Sequence, residues 1–307
     1  MTNWGSAETV ADLSEDEGVR ETRAAIRYLA EGDFVTRRFV SAGVEHSTGR
    51  YEDHEVTIRD ARAVRDRINL DTHGFMLADH LSRVADFHDK DEIERLYAAE
   101  ACEAIKRLTG ADHVIARGWM VRTSGEIAPQ PEKVVGYQHY GGVQPPAGEV
   151  HVDFASETAH RVAERTYKEA FPAGPGYRRF IATSFWRAFS PPPQDCPLAL
   201  CEGRSLKDDE GVRNTLHIVD ELPSEEEMVR PMEVEDQRIA ASIFRYRPQH
   251  RWWYVSNMTR DEVLLFKFFD SDHSVAWRCP HTAFWDTSLP NPNTRESIEF
   301  RSIAFFE

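Results

Sequence analysis

Three stretches of the chain predict helices, one from a capping pattern at its start and two from apolar residues that recur every three to four positions. The first stretch follows Ser14 and Glu17, which match a capping box, and runs to Leu29. The second covers residues 89–110 and the third covers residues 156–171. We predict three helices that pack against a core, the first of them in an N-terminal helical part.

From about Val114 onward the pattern changes to short β-branched and aromatic runs, separated by clusters of Pro, Gly, Asn and Asp. A segment rich in glutamate, residues 221–236, is predicted to be a solvated loop or a short surface helix. Many short strands that follow an N-terminal helical part indicate a mainly β fold with some α-helices. This fold is either a β-sandwich or a barrel with helices packed outside. The predicted strands cover residues 150–154, 180–189, 216–219, 241–246, 252–256, 263–269 and 297–305.

The composition is that of an ordinary globular protein and excludes disorder, collagen and coiled coil. The chain has 307 residues, of which 41% are hydrophobic and 29% are charged, and its formal net charge is −15. This negative balance opposes attraction to phosphate backbones and anionic lipid, so we expect no nucleic acid partner and no membrane partner. Four cysteines without a C-x-x-C pair, an acidic polar start and no long apolar stretch predict a cytoplasmic protein.

A short motif, His151-Val152-Asp153, places two metal-ligating side chains two residues apart. On a strand this spacing directs both side chains to the same face. His281, which follows a predicted core strand, would supply a third ligand. Two imidazoles and one carboxylate form the facial triad of non-haem Fe(II), but zinc accepts the same donor set. The sequence therefore predicts a metal site without identifying the metal.

The last predicted strand opens with Arg295-Glu296-Ser297, which places Arg295 and Ser297 on one face. A guanidinium fork and a hydroxyl on the same face can hold one carboxylate. Each short motif is common alone, so the informative feature is their order along the chain: His-x-Asp, a distal His and then Arg-x-Ser.

That ordered set resembles the Fe(II)/2-oxoglutarate-dependent dioxygenases. Longer sequence blocks narrow the resemblance to the gibberellin-desaturase-like and cephem-methoxylase-like group of natural-product oxygenases, and it extends from about residue 35 to the carboxyl terminus. The blocks are LDTHGF (70–75), VHVDFA (150–155), FWRAF (185–189), CPLALCEGRSL (196–206), NMTRDEVLLFKFFDS (257–271), PHTAFWD (280–286) and RESIEFRSIAFF (295–306), together with the helical residues 86–111.

The resemblance implies a double-stranded β-helix (jelly roll, cupin-like) core over about residues 114–307, with outer packing helices. It implies one oxygenase domain over residues 35–307, preceded by a helical extension over residues 1–34. The stretch of 128 residues from Asp153 to His281 is long for the wider superfamily and typical of the narrower group. We expect its extra content to form a wall or lid of the active site.

The resemblance also implies a reaction. The triad of His151, Asp153 and His281 would hold Fe(II), Arg295 and Ser297 would bind the distal carboxylate of the co-substrate 2-oxoglutarate, and O2 would be the oxidant. We expect hydroxylation of a small natural-product-like molecule, coupled to decarboxylation of 2-oxoglutarate to succinate and CO2.

Several alternatives stay open. Within the same class they are desaturation or another oxidation started at the iron, such as ring or peroxide formation, and a partner enzyme in a biosynthetic pathway could complete the chemistry. Outside the class they are a zinc hydrolase and a non-catalytic cupin-like binding protein.

Four further residues are candidates for the site. Arg187 lies on a predicted strand among aromatic residues, and we expect it either to contact 2-oxoglutarate or an acidic substrate, or to form a structural ion pair. Trp186, His139 and Tyr140 are candidate substrate contacts. The aromatic run at residues 252–254 is predicted to pack in the core.

Overall fold

Two β-sheets make up most of the fold in the computed structural model, which describes residues 13, 18–41, 44–127 and 143–307. The larger sheet has ten strands in the order β1-β4-β13-β10-β15-β8-β12-β11-β2-β3, and the smaller has six in the order β5-β14-β9-β16-β6-β7. The strands are β1 (Glu21–Leu29), β2 (Arg37–Ser41), β3 (Val44–Ser47), β4 (Tyr51–Asp60), β5 (Phe75–Asp79), β6 (His113–Thr123), β7 (Val143–Gln144), β8 (His151–Val152), β9 (Arg179–Ala188), β10 (Leu198–Cys201), β11 (Val212–Ile218), β12 (Ala240–Ile243), β13 (Trp252–Tyr254), β14 (Glu262–Asp270), β15 (His281–Ala283) and β16 (Glu296–Phe306).

Most neighbouring strands run antiparallel, whereas β2 and β11, β4 and β13, and β6 and β7 are parallel. The strand β1 pairs with β4 and also forms bridges from Arg27 to Glu149 and from Leu29 to Arg245. These bridges bring β1 back against the middle of its own sheet. Ile26, buried on β1, packs there in a satellite core.

The helices predicted at residues 89–110 and 156–171 are confirmed. Gly110 ends the first with φ 70°, a left-handed conformation that glycine adopts without strain. No helix within the described part of the chain is long and apolar enough to cross a membrane. The helical segments are α1 (Lys90–Glu92), a π turn (Ile93–Tyr97), α2 (Ala98–Thr109), α3 (Ser156–Ala170), α4 (Glu225–Met228) and the 3-10 turns Ala61–Arg67, Gly203–Ser205 and Glu235–Gln237.

The helix predicted to run from Ser14 to Leu29 is wrong over Glu21–Leu29, where the chain forms β1. Burial along this segment alternates with a period of two, because Ala24, Ile26 and Tyr28 are buried while the residues between them are exposed. The capping-box residue Ser14 lies outside the described residues. The division of the chain at residue 35 stays a prediction.

The strands predicted in the second half of the chain are confirmed, with ends that differ by a few residues. The sheets also take in β1 to β5, which lie before the predicted start of the β core at residue 114. The glutamate-rich segment contains the short helix α4, which begins with a capping box formed by Ser224 and Glu227.

The main core lies between the two sheets, and a second core lies on the outer face of the smaller sheet. Along β16, Ile303 and Phe305 belong to the first core, while Ile298 and Phe300 belong to the second. The second core is closed by α2, whose Ile105 is fully buried. The smaller sheet is therefore a platform packed on both faces.

We expect Ile105→Ala to lower the free energy of unfolding by about 2–5 kcal/mol, because it leaves a cavity under α2. Lys106→Ala, one residue away on the exposed face, should change it by no more than about 0.5 kcal/mol. Urea unfolding followed by circular dichroism measures both values. Equal effects of the two changes would contradict the packing of α2 described here.

Candidate active site

Two neighbouring strands of the larger sheet bring the three predicted metal ligands together. His151 on β8 lies directly opposite His281 on β15 in the antiparallel pair, and Asp153 follows β8. One ligand atom from each of these residues lies within 4.8 Å of the others. Asp153 Oδ1 is 3.5 Å from His151 Nε2 and 3.8 Å from His281 Nε2. Strand pairing therefore produces a three-ligand cluster from positions far apart in the sequence.

Both imidazole rings are oriented by the backbone. His151 Nδ1 donates to the carbonyl oxygen of Glu149 at 2.8 Å, and His281 Nδ1 donates to that of Cys279 at 3.1 Å. Each bond uses the carbonyl two residues earlier and leaves Nε2 facing Asp153. A metal-ligating histidine characteristically uses its second ring nitrogen in this way, because the bond fixes the tautomer and the ring plane.

The groups around the three residues keep Asp153 ionised and His281 neutral. Burial opposes ionisation of Asp153, but the Arg301 guanidinium and the two imidazoles outweigh burial and hold the pKa of that carboxyl well below its usual range. Burial and the neighbouring His151 lower the pKa of His281 to about 3. Burial also opposes the charge on His151, but the hydrogen bond and charge of Asp153 raise its pKa. At neutral pH the site offers a carboxylate and at least one neutral imidazole, as metal binding requires.

Arg301 and Glu299 belong to the site but were missed by sequence reasoning. Arg301 Nη2 lies 2.9 Å from Asp153 Oδ2, and its Nε donates to Glu299 at 2.6 Å. Glu299 also accepts from Arg122 Nε at 3.3 Å. The available signal was the alternation at the start of β16, where polar residues occupy every second position from Arg295, directly before the strand, to Arg301.

The predicted carboxylate-binding pair is buried at the start of the same strand, with Arg295 directly before β16 and Ser297 on it. Arg295 is 2% exposed and Ser297 is fully buried. Arg295 Nη1 donates to the carbonyl of Cys196 at 2.8 Å. Arg295 Nε and Ser297 Oγ have no hydrogen-bond partner among the described residues. Buried polar atoms of this kind are costly unless a ligand or water satisfies them.

The two neighbouring candidates on β9 face opposite sides of the sheet. Trp186 lines a narrow cleft with Arg295, whose guanidinium carbon is 5.8 Å from the centre of the indole ring. Arg187 points to the other side, where its Nε donates to Tyr97 Oη at 3.1 Å and its Nη1 donates to the Arg260 carbonyl at 2.8 Å.

The expectation that Arg187 contacts 2-oxoglutarate or substrate is therefore corrected. Successive residues of a strand alternate between faces, and the face of Arg187 is covered by the second core. Its contacts are structural, although they are made with carbonyls, the Tyr97 hydroxyl and the imidazole of His80 rather than in the predicted ion pair.

His139 and Tyr140 lie outside the described residues. The aromatic residues Trp252, Trp253 and Tyr254 are buried, which confirms that they pack in the core. Trp252 Nε1 donates to Tyr28 Oη at 2.7 Å, so this run also ties β13 to β1.

A cavity of about 380 Å³ opens over the metal-ligand cluster. Strands β2, β11 and β12 form one wall of it, and the segment that follows β7 forms another. The cavity is lined by Arg38, Val40, Glu45, Met120, Arg122, Gln144, Pro145, Pro146, Ala147, Gly148, Glu149, His151, Asp153, Asn214, Leu216, Ile218, Ala241, Ile243 and Arg301.

A narrower cleft of about 20 Å³ runs from the cluster towards Arg295. His151, Arg122 and Ala147 line both spaces, so the cluster lies where they meet. The cleft is lined by Arg122, Ala147, His151, Trp186, Leu198, Phe266, His281, Thr282, Ala283, Arg295 and Glu299.

Comparison with known proteins identifies relatives along nearly the whole chain. A family model described as "Oxidoreductase/YMDC permease-like domain" matches residues 27–305. The hydroxylase/desaturase CTB9 of Cercospora beticola is 34% identical over 269 residues, which are 84% of this chain and 78% of that protein. The hydroxylase/desaturase efuI of Hormonema carpetanum is 30% identical over 296 residues, which are 94% of this chain and 95% of that protein.

A third relative is named for its co-substrate. The alpha-ketoglutarate-dependent dioxygenase tstK of Talaromyces stipitatus is 30% identical over 271 residues, which are 86% of this chain and 89% of that protein; alpha-ketoglutarate is 2-oxoglutarate. Among solved structures, the iron and alpha-ketoglutarate-dependent endoperoxidase NvfI superposes with a TM-score of 0.72 at 23% identity, covering 93% of this chain and 98% of that one. This likeness concerns the fold.

We expect Arg187→Lys to destabilise the protein and to leave 2-oxoglutarate binding unchanged. Lysine keeps the charge but loses the guanidinium fork that bonds Tyr97, His80 and Arg260. The free energy of unfolding should fall by about 2 kcal/mol or more, while the calorimetric Kd for 2-oxoglutarate stays within twofold. A large loss of affinity for 2-oxoglutarate with an unchanged free energy of unfolding would show instead that Arg187 takes part in binding.

Proposed function

Because this chain belongs to the family of Fe(II)/2-oxoglutarate-dependent dioxygenases that includes these hydroxylase/desaturases, we propose that its His151, Asp153 and His281 hold the iron. The observation that carries this proposal is the cluster of two imidazole nitrogens and one carboxylate oxygen within 4.8 Å. Two imidazoles and a carboxylate suit Fe(II) and leave coordination positions open for other ligands. The backbone bonds to both Nδ1 atoms and the Arg301 contact to Asp153 are the supporting interactions that such a site needs.

We propose further that Arg295 and Ser297 bind the distal carboxylate of 2-oxoglutarate. Their buried atoms without partners, Arg295 Nε and Ser297 Oγ, fit a carboxylate, which accepts both a guanidinium and a hydroxyl hydrogen bond. A narrow cleft lined by His151, His281 and Arg295 connects the proposed iron ligands with this pair, and at about 20 Å³ it has to widen to admit a dicarboxylate.

The remaining residues of the site orient these groups and exclude water. Bound iron and 2-oxoglutarate supply the activation of O2, with conversion of 2-oxoglutarate to succinate and CO2. Arg301 holds Asp153 Oδ2 and leaves Oδ1 towards the imidazoles, while Glu299 fixes Arg301 from the other side. Trp186 and Phe266 close the cleft with apolar surface. This surface shields the reacting groups from bulk solvent.

Hydroxylation of a small natural-product-like molecule in the larger cavity is the outcome that we propose. A volume of about 380 Å³ suits such a molecule. Desaturation is the second candidate, because two relatives are named hydroxylase/desaturase. Placement of the substrate carbon decides between the two outcomes. The zinc hydrolase and the non-catalytic binding protein have no support among these relatives.

Two finer features belong to the same proposal. The two facing sheets, with the site at paired strands of one of them, fit a double-stranded β-helix of the jelly-roll, cupin-like kind. The cytoplasm is our proposed location, because all four cysteines are free thiols.

Anaerobic addition of Fe(II) and 2-oxoglutarate to the metal-free protein should produce the visible charge-transfer band of their chelate. We expect His151→Ala to abolish the band, because loss of one of the three proposed ligands weakens iron binding strongly. His160 is an exposed histidine on α3, so His160→Ala should retain the band. Absorbance spectra and iron analysis check this. A band that survives in His151→Ala would contradict the proposed ligand set.

Arg295→Ala should raise the Kd for 2-oxoglutarate by about 10- to 100-fold, because hydrogen bonds to charged groups are worth about 1.5–3 kcal/mol. Arg23→Ala, which removes an exposed arginine on β1, is the control and should leave the Kd unchanged. Calorimetric titration of the iron-loaded protein without O2 measures both. Normal binding by a folded Arg295→Ala protein would show that another residue holds the carboxylate.

A further inference from the structure

A buried amide lies among apolar side chains on the β11–β12 wall of the larger cavity. Asn214 on β11 lines this cavity and is 5% exposed. Its Oδ1 has no hydrogen-bond partner among the described residues. Its neighbours on this wall are the apolar residues Leu216, Ala241 and Ile243. A buried acceptor without a partner destabilises the folded protein, so we expect a bound molecule to complete its hydrogen bonding.

Thr215, the next residue on β11, has a structural role on the opposite face of the sheet. Thr215 Oγ1 bonds to Glu235 and lies 2.9 Å from His217 Nε2. Glu235 is in turn held by Arg37 at 2.7 Å. This network fixes the segment after α4 to the sheet. Asn214 takes no part in it, because successive strand residues face opposite sides.

Strand order places Asn214 at a defined distance from the iron ligands. Strand β12 separates β11 from β8. Asn214 pairs with Ala241, and Ser242 pairs with Val152, so the row through Asn214 and Ala241 leads to Asp153. Two strand spacings amount to about 10 Å. The backbones of Asn214 and Asp153 are therefore about 10 Å apart along the cavity wall.

The charges of the lining favour a neutral rather than an anionic molecule. Each arginine of the cavity has a carboxylate within salt-bridge distance: Arg38 with Glu45 at 2.6 Å, Arg122 with Glu299 at 3.3 Å and Arg301 with Asp153 at 2.9 Å. These pairs cancel the positive charge that would otherwise attract an acidic substrate.

We propose that Asn214 is a specificity-determining residue that accepts a hydrogen bond from a hydroxyl or N–H group of a neutral, largely apolar substrate. The bond fixes the substrate about two strand spacings from Asp153 and so selects the carbon presented to the iron. This inference deepens the proposed function and rests on it.

The first test separates a binding role from a structural one by stability alone. Asn214→Leu replaces the amide with an apolar side chain of similar size, so its Tm should equal or exceed that of the wild type. The matched control is Gln194→Met. Gln194 is equally buried at 5%, but its amide donates to the Ser190 and Met258 carbonyls. Its replacement should lower Tm by about 3 °C or more. A similar fall in Asn214→Leu overturns the proposal.

The second test measures recognition of a hydroxyl group. The probes are 1-adamantanol and borneol, each paired with its methyl ether, which keeps the apolar body and removes the donor. They are titrated calorimetrically into the full-length protein loaded with Fe(II) and 2-oxoglutarate without O2. We expect the wild type to bind the alcohols about 5- to 10-fold more tightly than the ethers, and Asn214→Leu to bind both alike.

Equal affinity for alcohol and ether in the wild type, a preference that survives in Asn214→Leu, or no binding of either alcohol overturns the proposal. Failure of the proposed function is seen separately, because the charge-transfer band of the loaded protein is recorded before each titration. The stability comparison requires neither iron nor 2-oxoglutarate, so it tests Asn214 even where that band is missing.

Discussion

A buried ion pair between Asp153 and Arg301 joins the two sheets at the active site. Asp153 follows β8 of the larger sheet, Arg301 lies on β16 of the smaller one, and their charged atoms are 2.9 Å apart. A carboxylate this deeply buried requires a positive partner, and without one it would take up a proton. The contact therefore keeps Asp153 ionised and fixes the separation of the sheets where the ligands meet.

The strand that carries Arg301 performs two tasks on its two faces. Towards the site, Glu299 links Arg301 to Arg122, which balances opposite charges across the sheet. On the other face, Ile298 and Phe300 pack under α2. Glu299 and Arg301 thus lie on a strand whose opposite face is held in place by apolar packing. This arrangement limits the movement of the residues that we propose bind iron and 2-oxoglutarate.

Some buried polar side chains of this protein are fully hydrogen-bonded, whereas others, in the site and elsewhere, have an atom without a partner among the described residues. Arg187 and Lys267 are fully buried but richly bonded, to carbonyls and a hydroxyl in one case and to Asp270 in the other. Arg295, Ser297 and Asn214 are also buried, yet each has a polar atom without a partner among the described residues. Such atoms lower stability and are expected where a ligand completes the bonding.

The sequence by itself determined the candidate ligand types and their order, His151-x-Asp153, His281 and Arg295-x-Ser297, because residues two apart on a strand face the same side. It also determined α2 and α3, whose apolar spacing is long and regular. It did not determine β1. Ile26 and Leu29 have the three-residue spacing of a helix, whereas Ala24, Ile26 and Tyr28 alternate as in a strand, and only packing against the rest of the protein decides between the two. Only the tertiary structure decided that Arg187 faces the outer core and that Arg301 meets Asp153. The side of a sheet that is covered, and the partner of a buried charge, depend on residues far away along the chain.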